Sequence, residues 1–309
     1  MRTKVLFGLL IIFSLCSLCS FAQEQPTYKS SEIIYGRKDG MALTMVMLQP
    51  EKQNGKGIIS VASGSWISSY NLVPNFTRRA ENYLKSGYTV FIVMHGSQPR
   101  YTVPEAATDV KRAVRFVRYH ANDYKIDPDK IGITGSSAGG NLSLLVAMND
   151  DKIDTTSKDP VNHVSSRVQA VAVFYPPTDF LNWGAENVNP ISNFRPLLSK
   201  QRVLSAFEYK EWNDSLSAFR VITDPGKILA ISKSISPAQA ASADDPPILV
   251  IHGDKDMTVP LQQSELLMTR LKAVNVVSQL LIKIGGMHGW ENISEDEKKF
   301  VEWFDKYLK

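Results

Sequence analysis

The segment Lys130-Ile-Gly-Ile-Thr-Gly-Ser-Ser-Ala-Gly-Gly-Asn-Leu-Ser143 constrains the fold more than any other part of the chain. Ile131 to Thr134 is a short β-branched run that reads as a buried strand. It stops at Gly135, and Leu142, Leu144, Leu145 and Met148 then recur in a helical pattern. Between strand and helix lies Gly135-Ser136-Ser137-Ala138-Gly139, a G-x-S-x-G pentapeptide centred on Ser137. A residue presented on so sharp a strand-to-helix turn adopts a strained backbone, so its neighbours must lack bulk. The helix that follows offers unpaired N–H groups and the positive end of its dipole to a developing negative charge. A Gly/Ser-rich loop would share this composition, and the pentapeptide gains its meaning from its setting and from two later segments.

The rest of the chain repeats the strand–helix alternation. Residues 31–47 alternate as two edge strands about a Lys38-Asp39-Gly40 turn. Gly57–Ala62 is a third, buried strand that runs into Ser63-Gly64-Ser65-Trp66. A helix around Phe76–Ser86 ends at Gly87, and the strand Thr89–Met94 leads into a His95-Gly96 loop. Pro104 opens a long helix whose inner face is Val110, Ala113, Val114, Val117 and Ala121. The charged residues at 105, 109, 111, 112 and 115 read as its solvated or structural face. After the pentapeptide helix come strands at Val168–Tyr175, Ile248–His252 and Val276–Ile284, with a helix from about Leu261 to Lys272. A last helix is expected to start at a capping box, Ser294-Glu-Asp-Glu297, and to bury Phe300, Trp303, Phe304 and Tyr307. The expected fold is therefore α/β, a mostly parallel twisted sheet with helices on both faces. Residues 176–246 break the alternation and carry Phe180, Trp183, Phe194, Phe207, Tyr209, Trp212 and Phe219. A structureless loop of that length is improbable, so a helical cap insertion is expected over the sheet's carboxyl edge. Most of its aromatics read as the insertion's own core.

Composition sets limits on partners and compartment. With 309 residues, 43% hydrophobic and 21% charged, the chain suits one large α/β domain. A net charge of +4, with no basic run interleaved with aromatics, argues against nucleic acid. In residues 1–22, Arg2 and Lys4 precede an apolar run that ends in Ser20-Phe21-Ala22, the pattern of a cleaved export leader. The run is shorter than the roughly 20 residues a membrane span needs, and leucine before Cys16 and Cys19 speaks against lipid attachment. The expectation is an exported catalytic domain at 23–309, periplasmic or secreted, with no stable membrane anchor after cleavage. Both cysteines of the chain lie in the leader, so the mature protein would form no disulfide. No metal-ligand cluster or phosphate loop stands out, and no cofactor is expected.

A serine nucleophile needs a base, and the base needs an orienting carboxylate. With G-x-S-x-G the expected chain order is Ser, then Asp or Glu, then His. Of the five histidines, only His252 and His288 lie beyond Ser137 and near a strand's carboxyl end. His288 sits in the glycine-flanked loop Ile284-Gly-Gly-Met-His-Gly-Trp290 and is the expected base. The carboxylate is sought in His252-Gly-Asp-Lys-Asp-Met-Thr-Val-Pro260, where Asp256 is favoured because Val259-Pro260 would fix the loop behind it. Asp254 then shapes the turn through bonds to backbone, and His252 is structural, satisfied by backbone groups.

In this order, Gly-Ser-Ser-Ala-Gly-Gly, His-Gly-Asp-Lys-Asp-Met-Thr-Val-Pro and Gly-Met-His-Gly-Trp resemble the α/β-hydrolase esterase and lipase families. The likeness is greatest to bacterial carboxylesterases of the carbohydrate-ester and feruloyl-esterase type, related to hormone-sensitive lipase. Val103–Arg115, Ile126–Ile131, Ser234–Pro237 and Pro246–Leu249 extend it, so it covers about residues 57–309. The resemblance implies Ser137 as nucleophile, Asp256 as acid and His288 as base, acting on a small-molecule or carbohydrate ester through an acyl-enzyme. One departure stands out. Related esterases carry His-Gly-Gly-Gly-Trp after the third strand, where this chain has Ala62-Ser-Gly-Ser-Trp66. Backbone donors need no particular side chain, so Gly64 and Ser65 are expected to serve with the Ala138 N–H as the oxyanion hole. His95-Gly96 is a minor candidate for substrate contact. Two competing readings are a prolyl-oligopeptidase-like serine peptidase and an inert hydrolase-fold binding protein; Ser137 excludes dehalogenases and epoxide hydrolases, which place aspartate there.

Overall fold

A computed structural model of the chain describes residues 27–149, 152–192 and 195–309. The leader expected at 1–22 and Phe194 lie outside the described residues. The edge hairpin forms from β1 (Tyr28–Lys38) and β2 (Met41–Pro50), with Lys38 opposite Met41. Asp39 and Gly40 turn the chain at φ 48° and 78°, the positive values that a two-residue hairpin turn demands.

Next in chain order are β3 (Gly57–Val61), α1 (Val73–Arg79), α2 (Glu81–Lys85), β4 (Thr89–Val93), α3 (Val103–Tyr119), β5 (Ile131–Ser136), α4 (Ala138–Met148) and β6 (Ala170–Phe174). The insertion holds α5 (Arg195–Lys200), β7 (Lys210–Asn213), β8 (Ala218–Val221) and α6 (Pro225–Ser234). The chain finishes with β9 (Ile248–Gly253), α7 (Gln262–Ala273), β10 (Ser278–Lys283) and α8 (Ile293–Tyr307). The main sheet runs β1-β2-β4-β3-β5-β6-β9-β10, antiparallel from β1 to β4 and parallel thereafter. Every residue of β3, β4, β5, β6 and β9 is buried, as a sheet covered on both faces requires. One face packs against α3, α4 and α7 through Val110, Val114, Leu142, Leu145, Leu267 and Leu271. The other packs against α1, α2 and α8 through Phe76, Leu84, Phe300 and Phe304. Burying one such side chain stabilises the fold by roughly 1.5–3 kcal/mol.

From β3 the chain steps outward to β4 and then crosses back to β5 on the other side. Strand order reverses there, which opens a crevice outside the carboxyl ends of β3 and β5. Ser137 follows β5 directly, so the topology sets it in that crevice.

Two expectations need correction. The last helix begins at Ile293 with Asn292 as its N-cap (φ 59°), and no Ser294–Glu297 capping box forms. Glu297 instead turns inward, 2.6 Å from Arg79 Nε, because an arginine from α1 offers a buried carboxylate more than a solvated cap would. A capping box does occur on α3, between Thr102 and Glu105. The insertion, expected to be a helical cap, carries α6 and the short α5 but also the separate β7–β8 hairpin. Trp212 pairs with Phe219 across that hairpin, a cross-strand aromatic contact that favours strands over a helix. Phe180, Phe207 and Tyr209 are buried as expected. Their partner is partly the main domain, since Trp66 meets Phe207 at 5.0 Å and Phe180 at 6.0 Å.

Candidate active site

Ser137 occupies the single position between β5 and α4, at φ 53° and ψ −122°. For a residue with a Cβ such a backbone costs on the order of 1–3 kcal/mol. The surroundings over-determine it. Its N–H donates to the Phe174 carbonyl at 3.0 Å, and its own carbonyl accepts from the Asn141 N–H at 2.9 Å. The flanking glycines are required by close approach. A Cβ on Gly135 would lie 2.5 Å from the Gly139 backbone, and one on Gly139 would lie 2.6 Å from the Val61 carbonyl oxygen. The turn is therefore pressed against the end of β3, with the serine hydroxyl carried at its tip.

Two loops bring the other groups. The loop after β9 and the loop after β10 are stitched together: Lys255 N–H donates to the Gly286 carbonyl at 2.8 Å, and Gly285 N–H to Asp254 Oδ1 at 2.6 Å. Asp254 thus shapes the turn, though by bonding the neighbouring loop rather than its own. His288 Nε2 lies 2.9 Å from Ser137 Oγ, and His288 Nδ1 lies 2.7 Å from Asp256 Oδ2. Asp256 Oδ1 accepts the N–H groups of Thr258 and Val259 at 2.8 and 2.9 Å. His252 Nε2 is 3.3 Å from Asp256 Oδ2. Burial pushes the Asp256 carboxyl up, but the bonds from His252, His288 and Val259 outweigh it and hold the group well below the usual carboxylate range. Asp256 is thus an ionised acceptor at neutral pH, so His288 Nδ1 carries the hydrogen and Nε2 is left to accept from the serine hydroxyl. Such a hydrogen-bonded chain can take a proton from an attacking hydroxyl and stabilise the imidazolium that results.

His252 is structural, as expected, but only half through backbone: Nε2 donates to the Val259 carbonyl at 3.0 Å, while Nδ1 accepts from Ser264 Oγ at 2.6 Å. His95, the minor candidate for substrate contact, is buried with both nitrogens engaged, by the Gly96 carbonyl and by Ser63 Oγ, each at 2.8 Å.

The loop after β3 departs from expectation at one donor. Gly64 N–H donates to the Ile67 carbonyl at 3.0 Å and Ile67 N–H returns the bond at 2.8 Å. Ser65 and Trp66 complete the turn at φ 53° and 54°. The Gly64 N–H is therefore committed to a hairpin-like turn, because serine where related chains have glycine still adopts the left-handed geometry that closes it. Among the described residues the N–H groups of Ser65 and Ala138 have no acceptor, the latter because a helix's first N–H groups lack an intrahelical partner. Ser65 is fixed by its carbonyl, which accepts from Gln98 Nε2 at 2.6 Å.

A family model described as BD-FAE matches residues 45–271, well over half of the chain. The chain belongs to the BD-FAE family. This BD-FAE chain is 27% identical over 263 residues to "Esterase LipQ" of Mycobacterium tuberculosis, covering 84% of the chain and 56% of LipQ. It thus spans about half the length of that relative. Its α/β-hydrolase fold matches a solved "truncated form of carbohydrate esterase from gut microbiota" with a TM-score of 0.71, 26% identity, and coverage of 92% of this chain and 99% of that one. A second solved structure, an acetyl ester-xyloside bifunctional hydrolase from Caldicellulosiruptor lactoaceticus, matches with a TM-score of 0.64, 25% identity, and coverage of 89% and 93%.

Several supporting residues of the BD-FAE chain lie outside the sequence motifs. The Tyr175 ring, at a positive φ of 35°, lies 4.6 Å from the His288 ring and limits how it can tilt. Arg79 bonds Ser136 Oγ at 3.2 Å from beneath the turn while paired with Glu297. Asn141 accepts the Trp66 indole N–H at 3.3 Å and donates to the carbonyls of Pro177 and Ile235 at 3.1 and 3.2 Å. A tyrosine ending a strand or an arginine closing a short helix carries no periodic signal. Asn141 could have been noticed, since it and Ser143 are the polar side chains of an otherwise apolar helix. Among the described residues, no group of three or more His, Cys, Asp or Glu side chains is placed to hold a metal, and no helix is long and apolar enough to cross a membrane.

Proposed function

We propose that this chain is an exported serine carboxylesterase that hydrolyses esters carried on carbohydrate, acetyl or feruloyl groups among them. The observation that carries the reading is the hydrogen-bonded line from Ser137 through His288 to Asp256, at 2.9 and 2.7 Å. In the first step Ser137 Oγ attacks the ester carbonyl carbon while His288 Nε2 takes its proton. Asp256 steadies the imidazolium, and the N–H groups of Ala138 and Ser65 receive the oxyanion. The C–O bond then breaks, and His288 returns the proton to the departing alcohol. Water attacks the acyl-Ser137 ester by the same route in reverse, releasing the acid. Support for carbohydrate as the alcohol comes from the two structural neighbours named above. Support for export is the leader pattern at 1–22.

The engaged Gly64 N–H favours one competing reading, an inert binding protein with an incomplete oxyanion hole. A fluorophosphonate probe and p-nitrophenyl acetate separate the two. The esterase reading expects covalent labelling at Ser137, and a kcat loss of roughly 10⁴-fold or more in Ser137→Ala. Failure to label, or turnover unchanged in Ser137→Ala, removes the reading.

A further inference from the structure

Gly64 and Ile67 exchange both of their backbone hydrogen bonds, at 3.0 and 2.8 Å. The two residues between them, Ser65 and Trp66, take φ values of 53° and 54°. This is a two-residue hairpin turn with positive φ at both central positions, a backbone that favours Asn-Gly or Gly-Gly. A serine, and still more a bulky tryptophan, is uncommon there and persists only where the surroundings over-determine it. We propose that Gln98 is a positioning residue for the oxyanion hole, holding this strained turn so that the Ser65 N–H stays aimed at the developing negative charge; the inference rests on the esterase reading above.

The aim of the donor follows from the peptide plane. The Gly64 carbonyl and the Ser65 N–H belong to one trans peptide unit, in which they point in opposite directions. Ile67 N–H draws that carbonyl into the turn at 2.8 Å, so the Ser65 N–H is directed out of it. Closing the turn keeps the donor aimed, and opening it would free the peptide to rotate. Little redundancy stands behind this donor. The Gly64 N–H is used within the turn, which leaves Ser65 and Ala138 as the two donors of the proposed hole.

Gln98 closes the turn from outside. Its Nε2 donates to the Ser65 carbonyl at 2.6 Å, and its backbone N–H donates to the Trp66 carbonyl at 3.2 Å. The carbonyls of both strained residues therefore end on one buried residue, itself only 8% exposed. The second hydrogen of Nε2 goes to the Arg202 carbonyl of the insertion at 3.1 Å. With both hydrogens spent, the carboxamide has one orientation, and that orientation ties the insertion to the loop that carries the donor. The flanking contacts complete the clamp. Ser97 Oγ accepts the Ser68 N–H and donates to the Ser68 carbonyl, each at 2.7 Å. The Trp66 ring is seated against Phe207 and Phe180, and its indole N–H is held by Asn141. Of these groups, the Gln98 side chain is the one that reaches the Ser65 carbonyl, the group next to the donor.

The test compares the parent with Gln98→Met and Gln98→Ala on p-nitrophenyl acetate and on two inhibitors. Methionine keeps the length of the side chain and removes its donors. Alanine opens the position to the cavity of about 390 Å³ that Gln98 borders, so water can reach the two carbonyls and a folded variant is available where methionine packs badly. Fluorophosphonate labelling to completion counts active sites, and every rate is taken per labelled site. Heptyl trifluoromethyl ketone reports on the hole: its carbonyl carbon bonds Ser137 Oγ, the hydroxyl proton passes to His288, and the ketone oxygen becomes the oxyanion. Heptyl methyl ketone remains a carbonyl and reports on ground-state binding. The expected result is a fall in kcat/KM of roughly 10- to 100-fold. The trifluoromethyl ketone should weaken by the same factor, while the methyl ketone changes by less than about twofold. An unchanged kcat/KM per labelled site overturns the proposal. So does equal weakening of both ketones, the mark of a pocket disordered as a whole. A parent that neither labels nor cleaves esters sinks the esterase reading itself, an outcome distinct from an active parent whose variants match it.

Discussion

His95 makes a quantitative prediction about stability. Its Nδ1 faces the Gly96 carbonyl, which only accepts, so Nδ1 carries the hydrogen and Nε2 accepts from the Ser63 hydroxyl. That arrangement needs a neutral ring, and the side chain is only 5% exposed. Burial drives its pKa from the ordinary 6.5 down to about 4, against the opposing pull of the Gly96 carbonyl. The unfolded chain therefore binds this proton more readily than the folded one. Stability from the group is complete above about pH 6.5 and is lost as the pH falls through about 4. The depression corresponds to roughly 3 kcal/mol, a large share of a domain's net stability. Urea unfolding of the parent and of His95→Asn at pH 7.5 and pH 4 isolates this contribution, because other titrating groups are common to both. The variant should be less stable at pH 7.5, and the gap should close by roughly 3 kcal/mol at pH 4. Parallel curves, with the same gap at both pH values, would refute a neutral buried imidazole here.

Two further outcomes follow from the site. Asp256→Asn should leave the fold in place but reverse the favoured tautomer of His288, lowering kcat on p-nitrophenyl acetate by roughly 10⁴-fold; a loss below about tenfold would mean the carboxylate does not orient the base. Arg79→Met should destabilise the protein by roughly 3–5 kcal/mol, since it strands a Glu297 carboxylate that burial already pushes up. Adding Glu297→Leu should recover most of that loss in a double-mutant cycle by urea unfolding, whereas simple additivity of the two changes would show that the pair is not coupled.

The sheet and the line of three side chains were legible because each leaves a local mark. Ile131–Thr134 followed by small residues and an apolar helix has few foldings open to it, and His288 and Asp256 sit in glycine-bounded loops at strand ends. What stayed hidden depends on partners distant in sequence. Glu297 has the spacing of a helix cap, yet Arg79 lies 2.6 Å away in the fold and takes it. The β7–β8 hairpin leaves no signal because four-residue strands are too short for a period of two to show. The place of Gly64 in an aligned loop suggests a free N–H. Whether that hydrogen points outward depends on the Ile67 carbonyl, which accepts it, and no local pattern announces that.

The Asn141 carboxamide joins three things with one side chain: the helix behind Ser137, the tryptophan of the neighbouring loop, and the insertion at its start (Pro177) and at the end of α6 (Ile235). Swinging the whole insertion aside as a rigid flap would break these bonds and distort the neighbourhood of the nucleophile at the same moment. Movement is therefore easier in the outer part, where every residue of the β7–β8 hairpin except Asn213 is exposed. Lengthening or trimming the hairpin should therefore leave the machinery around Ser137 undisturbed.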